Sequence, residues 1–247
     1  MSVIRRLVPH TLRAWLVTGA AAALLIVGGA AALVYVVAFG GSSPPPLTLS
    51  PASTASAGAG SAPVSAAEVA GAWSVAGGSV AGYRVREQLA FLSAPSDAVG
   101  RTSSITGSAT VTGSGGALTV SAASFSIDVS SLSSDRSMRD QRIHSIGLES
   151  DQFPTATFML TSPVALQASA TSGSAVHVSV TGKLTIHGVT RTETIPLDAR
   201  ISGSQIEVVG SITFGWADFG MQAPSIGGFV SVTDSATMEF DLHLAHA

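Results

Sequence analysis

The feature that most constrains this chain is a period of two. From about Glu68 onward, apolar and polar residues alternate in long runs. Val176, Val178, Val180, Leu184 and Ile186 alternate with His177, Ser179, Thr181, Lys183, Thr185 and His187. Ile206, Val208, Ile212, Phe214 and Trp216 form a second apolar row. Met238, Phe240, Leu242 and Leu244 form a third, set against Glu239, Asp241 and His243. Successive side chains of a strand point to opposite faces, so each run reads as a strand with one apolar and one wet face. That is the antiparallel pattern, because strands of a parallel sheet are apolar on both faces. Eight such runs are legible, at 80–92, 98–113, 117–128, 155–168, 174–187, 189–202, 205–218 and 228–244. Turn signals separate them, among them Ala94-Pro95-Ser96-Asp97, Gly113-Ser114-Gly115-Gly116, Ser172-Gly173, Gly203-Ser204 and Gly227-Gly228. Long antiparallel strands joined by short turns predict an all-β fold, an extended eight-stranded barrel whose closure removes exposed edges.

One stretch breaks the rhythm. Asp135, Arg136, Arg139, Asp140, Arg142, Glu149 and Asp151 form the only dense charge cluster of the chain. Ser134 to His144 has few β-branched residues and begins Ser-Asp. It predicts one short helix, capped by Ser133 or Ser134 with Asp135 in the first turn. Pro154 then opens the next strand, where its missing N–H costs nothing.

Before the alternation come three other segments. Ala14 to Phe39 holds no charged residue over about 26 positions. As a helix it would be about 39 Å long, enough to cross a hydrocarbon core of about 30 Å with some tilt. Arg5, Arg6 and Arg13 precede it, and the next basic residue is Arg84. The excess of positive charge on one side predicts a signal anchor, with residues 1–13 cytoplasmic and everything after Phe39 outside, a single-pass protein of the cell membrane. The rival expectation is a signal peptide cleaved near Ala38-Phe39-Gly40, which would release a secreted protein. Residues 40–67 are Gly, Ser, Pro, Ala and Thr with little else, and read as a disordered linker with a reach of about 30 Å. The domain then occupies 68–247.

Composition narrows the function. Cysteine is absent, so disulfides and thiol chemistry are excluded. From Glu68 on, 9 Lys+Arg stand against 15 Asp+Glu. An acidic domain offers no electrostatic footprint for nucleic acid. There is no Gly-x-Ser-x-Gly elbow, no His-Glu-x-x-His and no phosphate-binding Gly-Lys-Ser/Thr. His144, Glu149 and Asp151 are close in sequence, but a solvated helix end explains them better than a metal. No catalytic residue, metal or cofactor is expected.

An eight-stranded barrel is near the size at which side chains just fill the interior. Aromatic residues are only 6% of the chain. The inward rows nominate Val85, Leu89, Phe125, Phe158, Val178, Val180, Leu184, Val208, Ile212, Phe214, Trp216 and Phe240. Two readings stay open. The barrel is hollow and these residues line a cavity for an apolar ligand. Or it is packed through by Phe125, Phe158, Phe214, Trp216 and Phe240, a structural or protein-interaction domain of the cell envelope.

Three segments carry a resemblance. Ser126 to Gln141 (SIDVSSLSSDRSMRDQ) is followed by Phe153-Pro-Thr-Ala-Thr-Phe158. Gly182 to Arg191 reads GKLTIHGVTR. Gly215-Trp216-Ala217-Asp218-Phe219-Gly220 precedes Gly228-Phe229-Val230. In this order and spacing they resemble the YceI-like family of exported lipid-binding proteins. Trp216 stands where that family usually has Arg, Trp73 to Ser79 replaces its usual first strand, and Glu149 to Phe153 is more polar than usual. The resemblance implies a lipocalin-like barrel that sequesters a polyisoprenoid lipid or quinone outside the cytoplasmic membrane. By position, Arg139, Asp140, His187, Asp218 and Phe219 become candidates for the rim or head-group site. Each also has a structural reading: an ion pair or clasp for Arg139-Asp140, a turn role for His187, a bulge with a plugging Phe219 for the last loop.

Overall fold

The computed structural model describes residues 43–51, 64–89, 95–114, 117–226 and 230–247. The span expected at 14–39 and residues 52–63 of the expected linker lie outside them. Among the described residues, no helix is long and apolar enough to cross a membrane.

The alternating runs form one closed antiparallel wall. Strands β1 (Gly71–Val75) and β2 (Val80–Leu89) run in line along the last strand, β13 (Ser235–His246). β1 pairs with residues 244–246 and β2 with residues 237–241 of it. Their neighbours β3 (Ser96–Thr102) and β4 (Ile105–Ser114) are likewise two pieces of one bent run, β3 against β2 and β4 against β1. The circuit continues through β5 (Ala117–Asp128), β6 (Thr155–Leu160), β8 (Val176–Ile186), β9 (Val189–Ser202) and β10 (Gln205–Gly215) back to β13. Short strands β7 (Val164–Leu166), β11 (Ser225–Ile226) and β12 (Val230–Val232) add to β5, to β12 and to β2. The result is an eight-stranded antiparallel barrel. Its closure satisfies the backbone groups that an open edge would leave unpaired.

The differences from the sequence expectations are local. β1 was not expected; five residues ending in Ser-Val are too short for periodicity to announce. The run 98–113 breaks at Ser103-Ser104, and 155–168 breaks at Pro163, which cannot donate to a ladder. The row ending at Trp216 stops one residue early, because Trp216–Phe219 turns into a 3-10 helix. The expected helix forms as α2 (Ser137–Arg142) and runs on as a wider turn at Ile143–Gly147. Its N-cap is Arg136, without a side-chain cap, rather than Ser133 or Ser134. The Ser134 amide and hydroxyl instead donate to Asp140 Oδ1 at 2.9 and 2.6 Å.

The insertion 129–154 fills a gap in the wall. β3 extends beyond the point where β5 ends, so its outer edge faces no strand of the circuit. Ser133 takes that edge, with Arg101 N donating to Ser133 O at 2.9 Å and Ser133 N to Arg101 O at 3.1 Å. Val129, Leu132 and Ile143 then pack inward beside Tyr83, Trp216 and Phe219 and close this end of the barrel. At the far end α1 (Ala66–Val69), held by a Ser65–Glu68 capping box, brings Val69 onto Trp73 and Ala170. The Trp73 indole donates to Val69 O at 2.9 Å and the residue is fully buried.

Residues 43–51 are part of the stretch read as a disordered linker, and the structure corrects that reading. They run as a strap across the outside of five adjacent strands. Ser43 Oγ donates to Asp97 O on β3, Arg84 of β2 to Pro44 O at 2.8 Å, and Arg101 of β3 to Pro45 O at 2.5 Å. Ser50 N donates to Glu207 of β10 at 2.6 Å, and Arg200 of β9 donates to Ser50 O at 2.6 Å. From β3 to β9 is roughly 19 Å at about 4.8 Å per strand, a distance six extended residues cover at about 3.3 Å each. The four prolines, Pro44, Pro45, Pro46 and Pro51, have no N–H to join a ladder, which is why composition suggested disorder. The carbonyls of Pro44 and Pro45 serve the wall's arginines instead.

Candidate functional site

The interior is the site that the strands build. Four aromatic side chains that could fill it lie over glycines on the neighbouring strand. Phe125 faces Gly107, Phe240 faces Gly210 and Tyr83 faces Gly100 as direct cross-strand partners, and Phe158, paired with Leu184, lies over Gly182 two residues along β8. A Cβ at Gly107 or Gly210 would stand 2.6 Å from the facing phenylalanine ring, so only the missing side chain admits the ring. Each ring therefore packs against the wall, and the space along the axis stays open. This decides between the two readings of the inward row: Phe125, Phe158 and Phe240 do not plug the barrel.

The open space is a cavity of about 140 Å³, by the measure in which one water needs roughly 10–15 Å³. Every residue lining it is apolar except Thr157. Of the nominated residues, Phe125, Phe158, Val178, Val180, Leu184, Val208 and Phe240 line it. The β4 and β5 residues Ile105, Ala109, Val120 and Ala123 also line it, and sequence reading passed over them. In that region most inward positions alternate with Ser and Thr but are themselves small, as at Gly107, Ala109, Val120 and Ala123, so the contrast between faces is weak. A second cavity of about 40 Å³ lies under the 129–154 cap. Phe214 and Trp216 line this one, with Tyr83, Ile143 and Met221, and the two cavities share Ile127, Ala156 and Met238. Val85 and Ile212 line neither; they are buried in the cluster beneath the cap, a correction to their nomination. Leu89 ends β2 opposite Val230, and its side chain lies outside the description.

The nominated rim residues hold the cap together. Arg139 reaches back to β2, donating to Glu87 Oε1 at 2.7 Å, and also pairs with Asp135. Asp140 accepts the two Ser134 bonds described above, and Arg139 Nη1 donates to the same Ser134 hydroxyl at 3.3 Å, so Ser134 bridges the two. His187 sits at the β8–β9 turn with φ 52°. Its Nε2 is 3.3 Å from Glu149 Oε2, its Nδ1 3.3 Å from Phe219 O, and its ring lies 4.3 Å from that of Phe153. One imidazole thus ties three loops. Asp218 Oδ2 accepts from Gly215 N at 2.9 Å and its main-chain oxygen from Arg191. Phe219 is fully buried, edge-on to Phe214 at 4.9 Å. These residues close the end of the barrel over the smaller cavity. The charged side chains among them are engaged with protein partners.

Among the described residues, one group has metal-ligating atoms within reach of one another: Glu207, Asp241 and His243 on the outer wall. Ion pairing accounts for it. Glu207 is 2.7 Å from Arg200 and accepts from Ser50 N, and Asp241 is 3.4 Å from His243.

Comparison with one solved structure agrees with this architecture. A polyisoprenoid binding domain from Saccharophagus degradans, described as implicated in plant cell wall breakdown, superposes with a TM-score of 0.55 at 20% identity, over 71% of this chain and 98% of that one. BcnA of Burkholderia cenocepacia matches over 65% of this chain and 95% of its own, at 21% identity and a TM-score of 0.46. A Campylobacter jejuni YceI protein matches over 56% of this chain and 80% of its own, at 17% identity and a TM-score of 0.41. Among curated proteins none matches this sequence. The model of the YceI-like domain matches residues 76–244, from the turn after β1 to near the end of β13. With that match covering more than half of its length, the chain belongs to the YceI-like domain family.

Proposed function

We propose that this barrel binds an apolar isoprenoid lipid or quinone in its interior, on the outer side of a cytoplasmic membrane to which residues 14–39 anchor it. The observation that carries the reading is a cavity along the barrel axis whose lining is hydrocarbon but for Thr157. Such a surface has nothing to offer a sugar, a nucleotide or a peptide. It suits a prenyl tail, whose burial is worth about 25 cal/mol per Å² of apolar area removed from water. The superposition on a polyisoprenoid binding domain supports the same ligand class. The protein's role would be to hold, shield or carry such a lipid rather than to transform it, since no polar side chains converge within the larger cavity.

The test is native mass spectrometry on the full chain, purified in detergent from a host membrane extract. A bound species of defined mass, extractable as a prenyl lipid and absent from Val178→Trp, is the expected result. A chain that stays unliganded after incubation with prenylquinones and polyprenyl phosphates would refute the reading and turn attention to the exposed faces of the barrel.

A further inference from the structure

The interior offers nothing to a polar head group. Thr157 is the one polar residue along the larger cavity, and the chamber under the cap exposes no polar surface. A quinone carbonyl or a phosphate drawn fully inside would lose its water and gain no partner. Both ends of the barrel are shut as well. Val129, Leu132, Ile143 and Phe219 are buried under the cap, and Val69, Trp73 and Ala170 are buried at the far end.

The side wall is where the barrel parts. The circuit of strands closes, but not over the full height of every pair. β6 pairs with β8 from Thr157–Thr185 to Leu160–Gly182, and the last bond runs from Thr161 N to Thr181 O at 3.0 Å. Beyond it β7 pairs only with β5, so among the described residues Val176 to Val180 of β8 have no strand bonded to that edge. The register shows the cause. From Ser124–Met159 to Val120–Val164, β5 advances four residues while its partner advances five. The extra residue falls in the stretch that holds Pro163, which has no N–H to offer β8, and the chain leaves β8 there. A second gap in pairing lies between residues 189–196 of β9 and 211–215 of β10. That one is sealed, because Ile195, Ile212 and Phe219 are buried together beneath the cap. At the β7–β8 seam the inward side chains Val164, Leu166, Val178 and Val180 line the larger cavity and are only partly buried.

We propose that the lipid enters sideways through the β7–β8 seam, tail first, and that its head group stays outside the wall. This rests on the proposed function above and deepens it, because recognition then lies in the tail and not in the head. Parting β7 from β8 breaks no ladder hydrogen bond, so this joint opens at lower cost than a paired one. The cavity side of the seam is hydrocarbon, so a tail sliding through it stays on apolar surface all the way to the lumen. The head keeps its water at the outer face, where His177, Ser179 and Thr161 are exposed.

The full chain has no cysteine, so a pair can be introduced without interference. Ala165→Cys on β7 and Ser179→Cys on β8 are exposed positions beside the seam that line neither cavity. A short bismaleimide joins them, as the added mass confirms. Thr185→Cys with Thr190→Cys, direct partners across β8 and β9, is the control. Each full-length protein is loaded in detergent with a prenylquinone, and uptake is followed by native mass spectrometry. Joining the seam before loading should slow uptake by about tenfold or more, the mark of a binding step that needs the wall to part. Joining it after loading should trap the lipid against transfer to lipid-free micelles. The control pair should do neither. Uptake through a joined seam at the parent's rate would overturn the inference. Two tagged prenylquinones test the head. One with biotin on the ring should bind as tightly as the untagged lipid and be captured by streptavidin while bound; one with biotin on the tail tip should not bind. The opposite pattern would overturn the inference, and these lipids decide alone if the cysteines resist joining. If the parent takes up no prenyl lipid, the proposed function itself falls, and with it this inference; if it takes up lipid but the joined seam changes nothing, only the inference falls.

Discussion

Phe240 lies over the bare Cα of Gly210, its direct partner across β13 and β10. The pair shows how a barrel with aromatic residues on its inner face can remain hollow. A Cβ at Gly210 would meet the Phe240 ring at 2.6 Å and Pro196 O at 3.0 Å. Gly210→Ala should therefore push Phe240 off the wall into the lumen. The expected cost is about 1–3 kcal/mol, as for other overpacked sites, together with loss of bound lipid. Unfolding in urea and the lipid content of the purified protein check the two effects. An alanine variant as stable and as fully loaded as the parent would show that the ring has room elsewhere.

Gly82 does on the outer face what Gly210 does on the inner one. It stands between Glu239 and Arg101 in a cross-strand row, so Arg101 reaches over it to Glu239 at 2.9 Å. Arg84 approaches the same carboxylate at 3.5 Å, and Glu239 is almost wholly buried. Removing one partner of a buried pair leaves the others uncompensated, at about 3–5 kcal/mol. Glu239→Ala should fall in that range, discounted because Arg101 keeps some access to water. Glu239→Ala combined with Arg101→Met should recover part of the loss. Equilibrium unfolding of the single and double variants measures the coupling, and additive losses would refute it.

The strap of residues 43–51 should release in acid before the barrel unfolds. Burial works against the charged form of Glu207, but the Ser50 bonds and Arg200 outweigh it and hold this carboxyl below its ordinary value of 4.5. A carboxyl lowered by folding stabilises the bound form above the ordinary value, and the stabilisation is lost as pH falls through the lowered one. Asp241 nearby is raised, chiefly by burial, so protonating it costs the fold nothing. Hydrogen-exchange protection of the Ser50 amide should thus hold above about pH 4.5 and decline below, while the Val208 amide in the β10 ladder stays protected. Ser50 protection that persists to pH 3 would mean that Glu207 does not hold the strap.

Periodicity made the barrel legible because closure forces an inward and an outward face on every strand. It made the hollow interior only half legible. Whether Phe125, Phe158 and Phe240 fill the lumen depends on the residue across the strand, and glycine there looks from sequence like a mere weakness in the pattern. Adjacency left Arg139 and Asp140 open between an ion pair with each other and a clasp of helix and loop, whereas α2 aims Arg139 at Glu87 and Asp135 and brings both residues onto Ser134. Trp216 read as the end of a strand because its spacing fits, yet the 3-10 turn that begins at it carries Phe219 into the core. Composition misjudged residues 43–51, since proline-rich sequence reports only that the segment forms no ladder, not whether it lies on a wall lined with arginines.

Val178 and Leu184 lie on the same inner row of β8, six residues apart, and their surroundings differ. Val178 faces the open cavity and is only half buried, although it points inward. Leu184 borders the same cavity but is 1% exposed and packed into the cluster under the cap. In a solid core both positions would resist enlargement and truncation alike. In a hollow barrel they should diverge. Val178→Phe places new atoms in empty space, gains contacts instead of strain, and should change stability by no more than about 0.5 kcal/mol, the range of substitutions that disturb no packing. Leu184→Ala removes packed atoms and should cost about 2–5 kcal/mol. The same Val178→Phe protein should carry less lipid, since the added ring occupies the space that the tail needs. Thermal unfolding with lipid quantification on both variants tests the divergence. A Val178→Phe protein destabilised by 2 kcal/mol or more would mean that the lumen is already filled by protein, and a stable one that keeps its full lipid load would mean that the tail lies elsewhere.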